Sequence, residues 1–436
     1  MTTPSLTSTR SRSSRARLRT ALVPLAALSL FAAACGDDAE EETTATEAAG
    51  SDATTAPDAT EAAGGDTTAA PAGDSTACGV GATKVGVIYV GSKDDFGYNQ
   101  AAYEAAQAMG EAAGVEVINA ENVPETVEDA VPVMEDMISQ GATVIFATSY
   151  GHFQPAVEIA AAHPDVCVVH QGQFESSLEA PLDNLGTYFS SVFEPVYLAG
   201  IAAGSVSETG TLGYVYAFPI PQTLENINAF ALGAQSVNPD ATVIAVATAN
   251  WCDPAKQAQA AQTLLDQGAD VLTQHQDCTK TVIEAAEAAG VYSVGYHYDA
   301  SSLAPEGWLT GSEWAWTDLY TDIVETAVAG EFVSSPYNGD YRFGYRDVAA
   351  PFVAFKPSVF GPAVSAETQT AITAAYDAFF ADADGDGVGD FSVFTGPLAD
   401  RDGTVRIEDG VSPDYTALDG FFSEPWFVAG VEGSLG

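Results

Sequence analysis

Short apolar segments alternate with Ala-rich amphipathic segments along most of the chain after residue 84. Four runs rich in β-branched residues come first, at 85–90, 115–119, 143–148 and 166–170. Stretches with helical periodicity separate them, near 99–113, 127–139 and 155–162. Parallel strands need a crossover connection, which a helix of this length supplies. The alternation therefore predicts a parallel sheet with right-handed crossovers.

The same pattern starts again near residue 212. Strands are predicted at 212–216, 242–247, 270–274 and 292–295, with helices near 222–236, 254–267 and 280–289. Two α/β units in tandem predict two lobes, each a doubly wound parallel sheet. The carboxyl ends of both sheets then face a shared cleft, which is where open α/β sheets bind ligands.

The first 77 residues have a different composition. Arg residues at 10–19 precede a short apolar run at 21–31 and the small residues before Cys35, a pattern typical of an export signal. Because it ends on Cys35, the segment 1–35 resembles a bacterial lipoprotein signal. It predicts a lipid anchor on Cys35 at the extracytoplasmic face of the cell membrane. Ordinary secretion with a coincidental cysteine is the alternative. Residues 36–77 lack bases and aromatics and predict a disordered acidic tether.

The charge balance excludes one large class of function. The chain has 60 Asp and Glu against 14 Lys and Arg, a net charge of −46. Binding a phosphate backbone needs clustered basic residues, so no nucleic-acid partner is expected. The sequence also has no Gly-x-Gly-x-x-Gly after a first strand, no Walker loop and no Gly-x-Ser-x-Gly elbow. A dehydrogenase, kinase or hydrolase therefore has no specific motif in its favour.

Aromatic residues and carboxylates recur where the predicted strands end. Six such loops carry them, at 92–100, 149–154, 217–221, 250–253, 275–278 and 296–299. Aromatic side chains can sandwich a planar ring, and carboxylates can accept hydrogen bonds from ring N–H groups or sugar hydroxyls. The loops therefore predict a cleft for a planar, polar small molecule.

Several of these loops resemble the signatures of a known family. The segment from Asp94 to Gln100, Asp-Asp-Phe-Gly-Tyr-Asn-Gln, and the segment 193–200, Phe-Glu-Pro-Val-Tyr-Leu-Ala-Gly, resemble the basic membrane protein family. Its members are substrate-binding lipoproteins of ABC importers. Other motifs resemble its purine-binding branch, namely 218–221 (Phe-Pro-Ile-Pro), 227–230 (Ile-Asn-Ala-Phe), 251–256, 274–277 and 394–397. The resemblance covers roughly residues 84–410.

The resemblance implies a fold and a function. It implies a type I periplasmic-binding-protein fold whose two lobes are joined by a hinge, with a first lobe of 78–205 plus about 309–345. The second lobe would comprise 206–308 plus about 346–436. It also implies a purine nucleoside or purine base as ligand, an ABC permease and ATPase as partners, no cofactor and no enzymatic activity.

The expected site residues come from the resemblance and from the strand-end loops. The resemblance implies Asp95, Tyr98 and Asn99 in the first lobe, and Phe218, Trp251, Asp253, Asp277 and Asp299 in the second. The loops add Tyr150 and Phe153, and Trp314 is added from the segment 311–314, where many members of the family carry a Lys instead. Two other functions share this cleft. One is a sensor that presents its bound ligand to a receptor. The other is a nucleoside or glycoside hydrolase that uses Asp95 and Asp299 as an acid/base pair.

The four cysteines after residue 77 predict two disulfides in an exported domain. Three connectivities exist. The strand ends favour Cys78–Cys167 and Cys252–Cys278, because the members of each pair lie at the same end of the same lobe. Free thiols are the alternative.

An Asp-rich segment near residue 385 has the spacing of a calcium loop. Asp382, Asp384, Asp386 and Asp390 occupy positions 1, 3, 5 and 9, with Gly387 at position 6. This predicts a structural Ca²⁺ site, with an ordinary acidic surface turn as the alternative.

Overall fold

The computed structural model describes residues 77–350, 355–357 and 359–435. The predicted signal segment 1–35 with Cys35, and the tether apart from residue 77, lie outside the described residues. Among the helices of the described part, none has the length and hydropathy needed to cross a membrane.

Strands and helices alternate through the described chain. In chain order the strands are β1 (Lys84–Ile88), β2 (Glu116–Ala120), β3 (Val144–Ala147), β4 (Cys167–Gln171), β5 (Leu185–Ser190), β6 (Thr211–Tyr216), β7 (Thr242–Ala247), β8 (Val271–His275), β9 (Tyr292–Gly295), β10 (Trp308–Trp314), β11 (Gly339–Phe343), β12 (Phe355–Pro357), β13 (Leu398–Ala399), β14 (Val405–Ile407) and β15 (Val431–Gly433). The helices are α1 (Tyr98–Ala113), α2 (Val127–Ser139), α3 (Phe153–Ala162), α4 (Phe193–Val206), α5 (Pro221–Val237), α6 (Pro254–Asp266), α7 (Lys280–Ala289), α8 (Thr317–Val328), α9 (Ala366–Phe379) and α10 (Tyr415–Phe421).

The first sheet has six parallel strands in the order β11-β5-β4-β3-β1-β2. Strands β3, β4 and β5 are buried along their whole length. They are buried because helices cover both faces of a doubly wound sheet, which is why such strands read as continuous apolar runs. This sheet and the helices α1, α2, α3 and α8 form the first lobe.

The second sheet has seven strands in the order β12-β10-β9-β8-β6-β7-β15. All its pairings are parallel except that of β12, which runs antiparallel to β10. This sheet and the helices α4 to α7 form the second lobe. The structure thus confirms the predicted pair of parallel α/β sheets, and each predicted strand is present to within two residues at its ends. Strands β5 and β11, which complete the first sheet, were not predicted.

Helices α4 and α5 pack with their backbones almost in contact. A Cβ atom on Gly200 would lie 2.3 Å from the carbonyl oxygen of Phe230. A Cβ atom on Gly233 would lie 2.0 Å from the carbonyl oxygen of Tyr197. Only glycine leaves room for this approach, so the two helices form a rigid layer of the second lobe.

The chain passes between the lobes three times, after β5, after β10 and after β11. A hydrogen bond joins the crossings after β5 and β11, since the Ser191 N–H donates to the carbonyl of Phe343 at 3.0 Å. The Tyr345 N–H also donates to a carboxylate oxygen of Glu194 at 2.6 Å. The crossings are the segments about which the lobes can hinge.

The predicted lobe boundaries at residues 205 and 309 need correction. Helix α4 packs on α5 and belongs to the second lobe, so the first crossing lies near residue 191. Strand β10 pairs with β9 in the second sheet, so the second crossing lies near residue 315. Helix α4 is buried on almost all sides, and its sequence therefore lacks the polar face that would reveal its neighbours.

The structure contains both favoured disulfides. Cys78 and Cys167 have Cα atoms 5.0 Å apart, and their bond joins the segment before β1 to the start of β4. Cys252 and Cys278 have Cα atoms 5.3 Å apart and follow β7 and β8 on the cleft side of the second sheet.

Candidate ligand-binding site

A cavity lies between the carboxyl ends of the two sheets. Its empty volume is about 360 Å³, including the space at its mouth. The first lobe contributes side chains that follow or end its strands: Tyr98, Ser149, Tyr150, Gln171 and Phe189. The second lobe contributes Gln222, Trp251, His275, Asp277, Tyr296 and His297. Both sheets thus direct aromatic and polar side chains to one point.

Asp95 and Asn99 support the first-lobe wall from behind. One carboxylate oxygen of Asp95 accepts from the N–H groups of Gly97 at 2.9 Å and Gln100 at 3.0 Å. The other accepts from the backbone N–H of Asn99 at 3.1 Å and its side-chain amide at 2.8 Å. Asp95 therefore caps the start of α1. This cap fixes the position of Tyr98, which faces the cavity.

Aromatic rings form much of the cavity wall. The Trp251 ring meets Phe218 edge-on with centroids 5.1 Å apart, and its centroid lies 6.1 Å from that of His275. On the other side, Tyr98 meets His297 edge-on at 4.9 Å. Such rings offer flat apolar surfaces on which a planar ligand can stack.

The two cavity histidines are uncharged. Burial lowers the pKa of His275 to about 3. Burial also holds the pKa of His297 well below its usual range, and the neighbouring His275 lowers it further. Each ring nitrogen Nδ1 faces a donor, the side-chain amide of Asn226 at 3.0 Å for His275 and the indole N–H of Trp314 at 2.6 Å for His297. The wall is therefore polar but neutral.

Asp277 is the carboxyl group in the cavity wall. Burial raises its pKa well above the usual range, and the nearby acids Asp95 and Glu125 raise it further. A hydrogen bond with Asn99 acts in the opposite direction. Burial therefore favours the protonated form of Asp277 in the empty cavity, and N–H donors from a ligand would favour the charged form.

The lobes are in contact at the cleft mouth. The Tyr98 N–H donates to the carbonyl of Asp277 at 3.1 Å, and the Thr279 hydroxyl donates to the carbonyl of Phe96 at 2.6 Å. The Tyr298 hydroxyl donates to Glu104 at 2.9 Å. These bonds join α1 and the loop before it to the loops after β8 and β9, so the structure represents a closed state of the cleft.

Six of the expected site residues lie in or next to the cavity. Tyr98, Tyr150, Trp251 and Asp277 line it. Phe218 packs against Trp251, and Trp314 lies one layer back through its bond to His297. Asp95 and Asn99 act through the start of α1, as described above.

Three expected residues do not reach the cavity. Phe153 packs in the first-lobe core against His170, with ring centroids 5.1 Å apart. Asp253 caps α6, where it accepts from the N–H groups of Ala255 and Lys256 at 3.1 Å. Asp299 accepts from the Ser301 N–H at 2.9 Å in the turn after β9. Short carboxylates at strand ends are also the residues that turns and helix starts need, which is why position alone did not separate these roles.

The hydrolase alternative has no acid/base pair in this cavity, because the carboxylates of Asp95 and Asp299 both have structural roles. The Asp95 carboxylate is fully used by the start of α1. Asp299 closes a turn in the other lobe and does not line the cavity.

Seven cavity residues were not among the expected ones. They are Ser149, Gln171, Phe189, Gln222, His275, Tyr296 and His297. Two of them, Tyr296 and His297, stand directly after β9, whereas Asp299 lies further along the same loop and does not line the cavity. The first residues beyond a strand end were therefore a better predictor of the cavity lining than the acid. Phe189 lies on β5, a strand that the pattern did not predict.

The Asp-rich loop lies outside the cavity lining. Carboxylate oxygens of Asp382, Asp384 and Asp386 lie within 4.8 Å of one another. Asp382 accepts from the N–H groups of Gly385 at 2.7 Å and Gly387 at 3.0 Å. Asp390 accepts from the Ala383 N–H at 3.1 Å and is not part of the three-carboxylate group.

Most of the chain is similar to a family of known proteins. Residues 82–368 match the family model described as ABC transporter substrate-binding protein PnrA-like. A purine-binding protein of Brucella abortus is 33% identical over 356 residues, covering 81% of this chain and 93% of its own. A protein of Haloferax volcanii, named as a candidate ABC transporter glucose-binding protein, is 33% identical over 288 residues, covering 66% of this chain and 69% of its own.

Solved structures support the fold. An ABC transporter solute-binding protein from Aeropyrum pernix K1 superposes with a TM-score of 0.59 at 16% identity, covering 77% of this chain and 95% of that one. This likeness shows the type I periplasmic-binding-protein fold. The family comprises binding proteins rather than enzymes, and its members work with a small-molecule ligand, a permease and an ATPase. The cleft, the fold and the family match agree, and the chain belongs to the PnrA-like family of ABC transporter substrate-binding proteins.

Proposed function

We propose that this protein binds a purine base or purine nucleoside in the cleft and delivers it unchanged to an ABC importer. The observation that carries the proposal is the cavity wall itself, in which the rings of Tyr98 and Trp251 accompany the buried carboxyl of Asp277. Stacking rings recognise the flat faces of a purine, and a carboxylate accepts from its N–H groups. The purine-binding relative from Brucella abortus supports this choice.

A thermal-shift screen tests the proposal. Adenine, guanine, hypoxanthine and their nucleosides should raise the melting temperature by an amount that grows with ligand concentration, because only the folded state binds them. Trp251→Ala removes a stacking surface and should weaken binding by about tenfold or more, which corresponds to about 1.4 kcal/mol. Its own melting temperature without ligand provides the control for folding.

Glucose is the second candidate ligand, because the relative from Haloferax volcanii is named for it and is equally similar in sequence. Aromatic rings and carboxylates also suit sugars. If glucose raises the melting temperature and no purine does, glucose is the ligand and the purine proposal is wrong.

The same proposal includes a membrane anchor. A thioether-linked lipid on Cys35 would hold the binding domain at the extracytoplasmic face, with residues 36–77 as the tether to it. The mass of the mature N-terminal peptide checks this, since an unmodified Cys35 would contradict the anchor.

A sensor that presents its bound ligand to a receptor would use the same cleft. Loss of purine uptake in cells that lack the matching permease would count against the sensor role.

We also propose that the loop of Asp382, Asp384 and Asp386 binds Ca²⁺ in a structural role. Three carboxylates at alternate positions around a Gly-rich turn suit a hard cation. Calcium in the millimolar range should raise the melting temperature of the wild type but not of a D384A/D386A variant. An equal shift in both proteins would show only general screening of the acidic surface.

A further inference from the structure

The neighbours of two histidines in the cavity wall determine which ring nitrogen of each carries the proton. The rings of His275 and His297 have centroids 5.9 Å apart and stand nearly perpendicular, at 88°. The indole N–H of Trp314 points to Nδ1 of His297 at 2.6 Å. The side-chain amide of Asn226 donates to Nδ1 of His275 at 3.0 Å and to the Tyr296 hydroxyl at 2.8 Å.

These contacts select one tautomer of each ring. An indole N–H can only donate, so Nδ1 of His297 must accept and carries no proton. A neutral imidazole has one proton, which therefore lies on Nε2. At His275 the amide nitrogen of Asn226 lies 3.0 Å from Nδ1, and in this orientation of the amide Nδ1 accepts and the proton lies on Nε2. Both rings then present an Nε2–H donor.

The Nε2–H donor of His297 has no acceptor in the described part of the chain. Its Nε2 atom is buried, and no hydrogen-bond partner for it exists among the described residues. The Nε2 atom of His275 lies 3.5 Å from the Tyr296 hydroxyl, at the limit of a hydrogen bond. A buried N–H without an acceptor is unfavourable, so a cavity with such donors is arranged for an acceptor on its ligand.

The backbone at His297 supports a specific role for this ring. Its φ angle is +72°, in the left-handed region that residues other than glycine rarely adopt. Backbone strain of this kind persists where the surroundings hold it, and it is concentrated at functional sites. Stacking on Trp314, with ring centroids 6.0 Å apart and planes 16° apart, holds the imidazole there.

We propose that His275 and His297 are specificity-determining residues that select 6-oxopurines over 6-aminopurines. The edge of guanine that carries N7 and the 6-substituent presents two acceptors, N7 and O6. The same edge of adenine presents N7 and an amine, which is a donor. Two N–H donors in one wall match the first edge and oppose an amine of the second. This inference rests on the proposed purine function and names the substrate class within it.

Calorimetric titration with two matched ligand pairs tests the inference. Hypoxanthine differs from adenine, and inosine from adenosine, in the group at the 6-position and in the N1 proton that the 6-oxo form carries. The wild type should bind the 6-oxo member of at least one pair about tenfold or more tightly than the 6-amino member. His297→Phe keeps a ring but removes the donor and should bring this ratio close to one.

Trp314→Phe and His163→Phe complete the set. Trp314→Phe leaves His297 in place but frees its Nδ1, so the ratio should fall although the donor residue is still there. A merely structural effect would weaken both ligands equally and leave the ratio unchanged. His163 pairs with Glu135 outside the cavity lining, and its substitution should leave the ratio at the wild-type value. Melting temperatures check that each variant folds.

The outcomes separate the inference from the function beneath it. If purines bind but adenine or adenosine binds as tightly as its 6-oxo partner, the inference is wrong and the purine function stands. If a folded His297→Phe protein keeps the full ratio, His297 does not determine specificity. If no purine or nucleoside binds at all, both the proposed function and the inference fall.

Discussion

Glu194 shows how one buried side chain links two crossings between the lobes. It stands at the start of α4, and its carboxylate accepts from the Tyr345 N–H at 2.6 Å, just beyond β11. Burial raises its pKa to about 8, and the neighbouring Asp347 also raises it. In the folded protein the group therefore holds its proton at neutral pH.

This proton makes stability depend on pH. Between the ordinary glutamate pKa near 4.5 and about 8, the folded state keeps a proton that the unfolded state releases. The contribution of Glu194 to the free energy of unfolding of the wild type is therefore fully present below about pH 4.5. It is lost as pH rises from there to about 8. Glu194→Gln does not titrate, so its stability relative to wild type should rise by about 2–4 kcal/mol from pH 5 to pH 8.

Denaturant unfolding at pH 5, 6.5 and 8 measures this difference. The matched control is Glu111→Gln at an exposed position on α1, which should show no such trend. A constant difference between Glu194→Gln and wild type across the three pH values would mean that Glu194 is already ionised at pH 5.

Residue-level prediction from sequence was limited by competing uses of the same side chains. The aromatic residues Tyr98 and Trp251 were expected in the cavity and line it, whereas Phe153, also expected there, packs in the first-lobe core. The carboxylates of Asp253 and Asp299 serve a helix cap and a turn instead. The histidines gave no signal of their own, since their role depends on Asn226 and Trp314, which are distant in sequence.

At the scale of elements, the close packing of α4 and α5 makes this helix pair sensitive to substitution. A Cβ atom at position 233 would meet the Tyr197 carbonyl oxygen at 2.0 Å, and a backbone oxygen cannot move aside as a side chain can. Gly233→Ala should therefore lower the free energy of unfolding by about 2 kcal/mol or more, despite the higher helix propensity of alanine.

The matched control for this helix pair is Gly420→Ala in α10. A Cβ atom there would meet nothing within 4 Å. Alanine should then leave stability unchanged or raise it by up to about 1 kcal/mol, because it loses less backbone entropy than glycine. Urea unfolding of both variants provides the comparison, and equal stability of the two would contradict the close approach of α4 and α5.

Elements with a strong local pattern were predicted well, and elements defined by distant partners were not. The β-branched runs of β1 to β4 and β6 to β9 stand out between amphipathic helices. Strand β11 is half-buried at the edge of its sheet and has no such run. The start of helix α4 stood out as a family motif, yet its apolar surface on almost every side concealed which lobe it joins.

The described part of the chain forms two lobes that close on one cavity, and each lobe supplies part of its wall. Its cavity has an aromatic and a neutral polar surface, although the chain carries a net charge of −46. The wall excludes charge because burial keeps its histidines neutral and raises the pKa of Asp277. An uncharged planar ligand suits such a wall.

The claim that a purine binds between the lobes is tested most directly by isothermal titration calorimetry with hypoxanthine in the presence and absence of excess glucose. We expect saturable heat for one site per chain, unaffected by glucose and strongly reduced in Trp251→Ala. Heat with glucose alone, and none with hypoxanthine or any other purine, would contradict it.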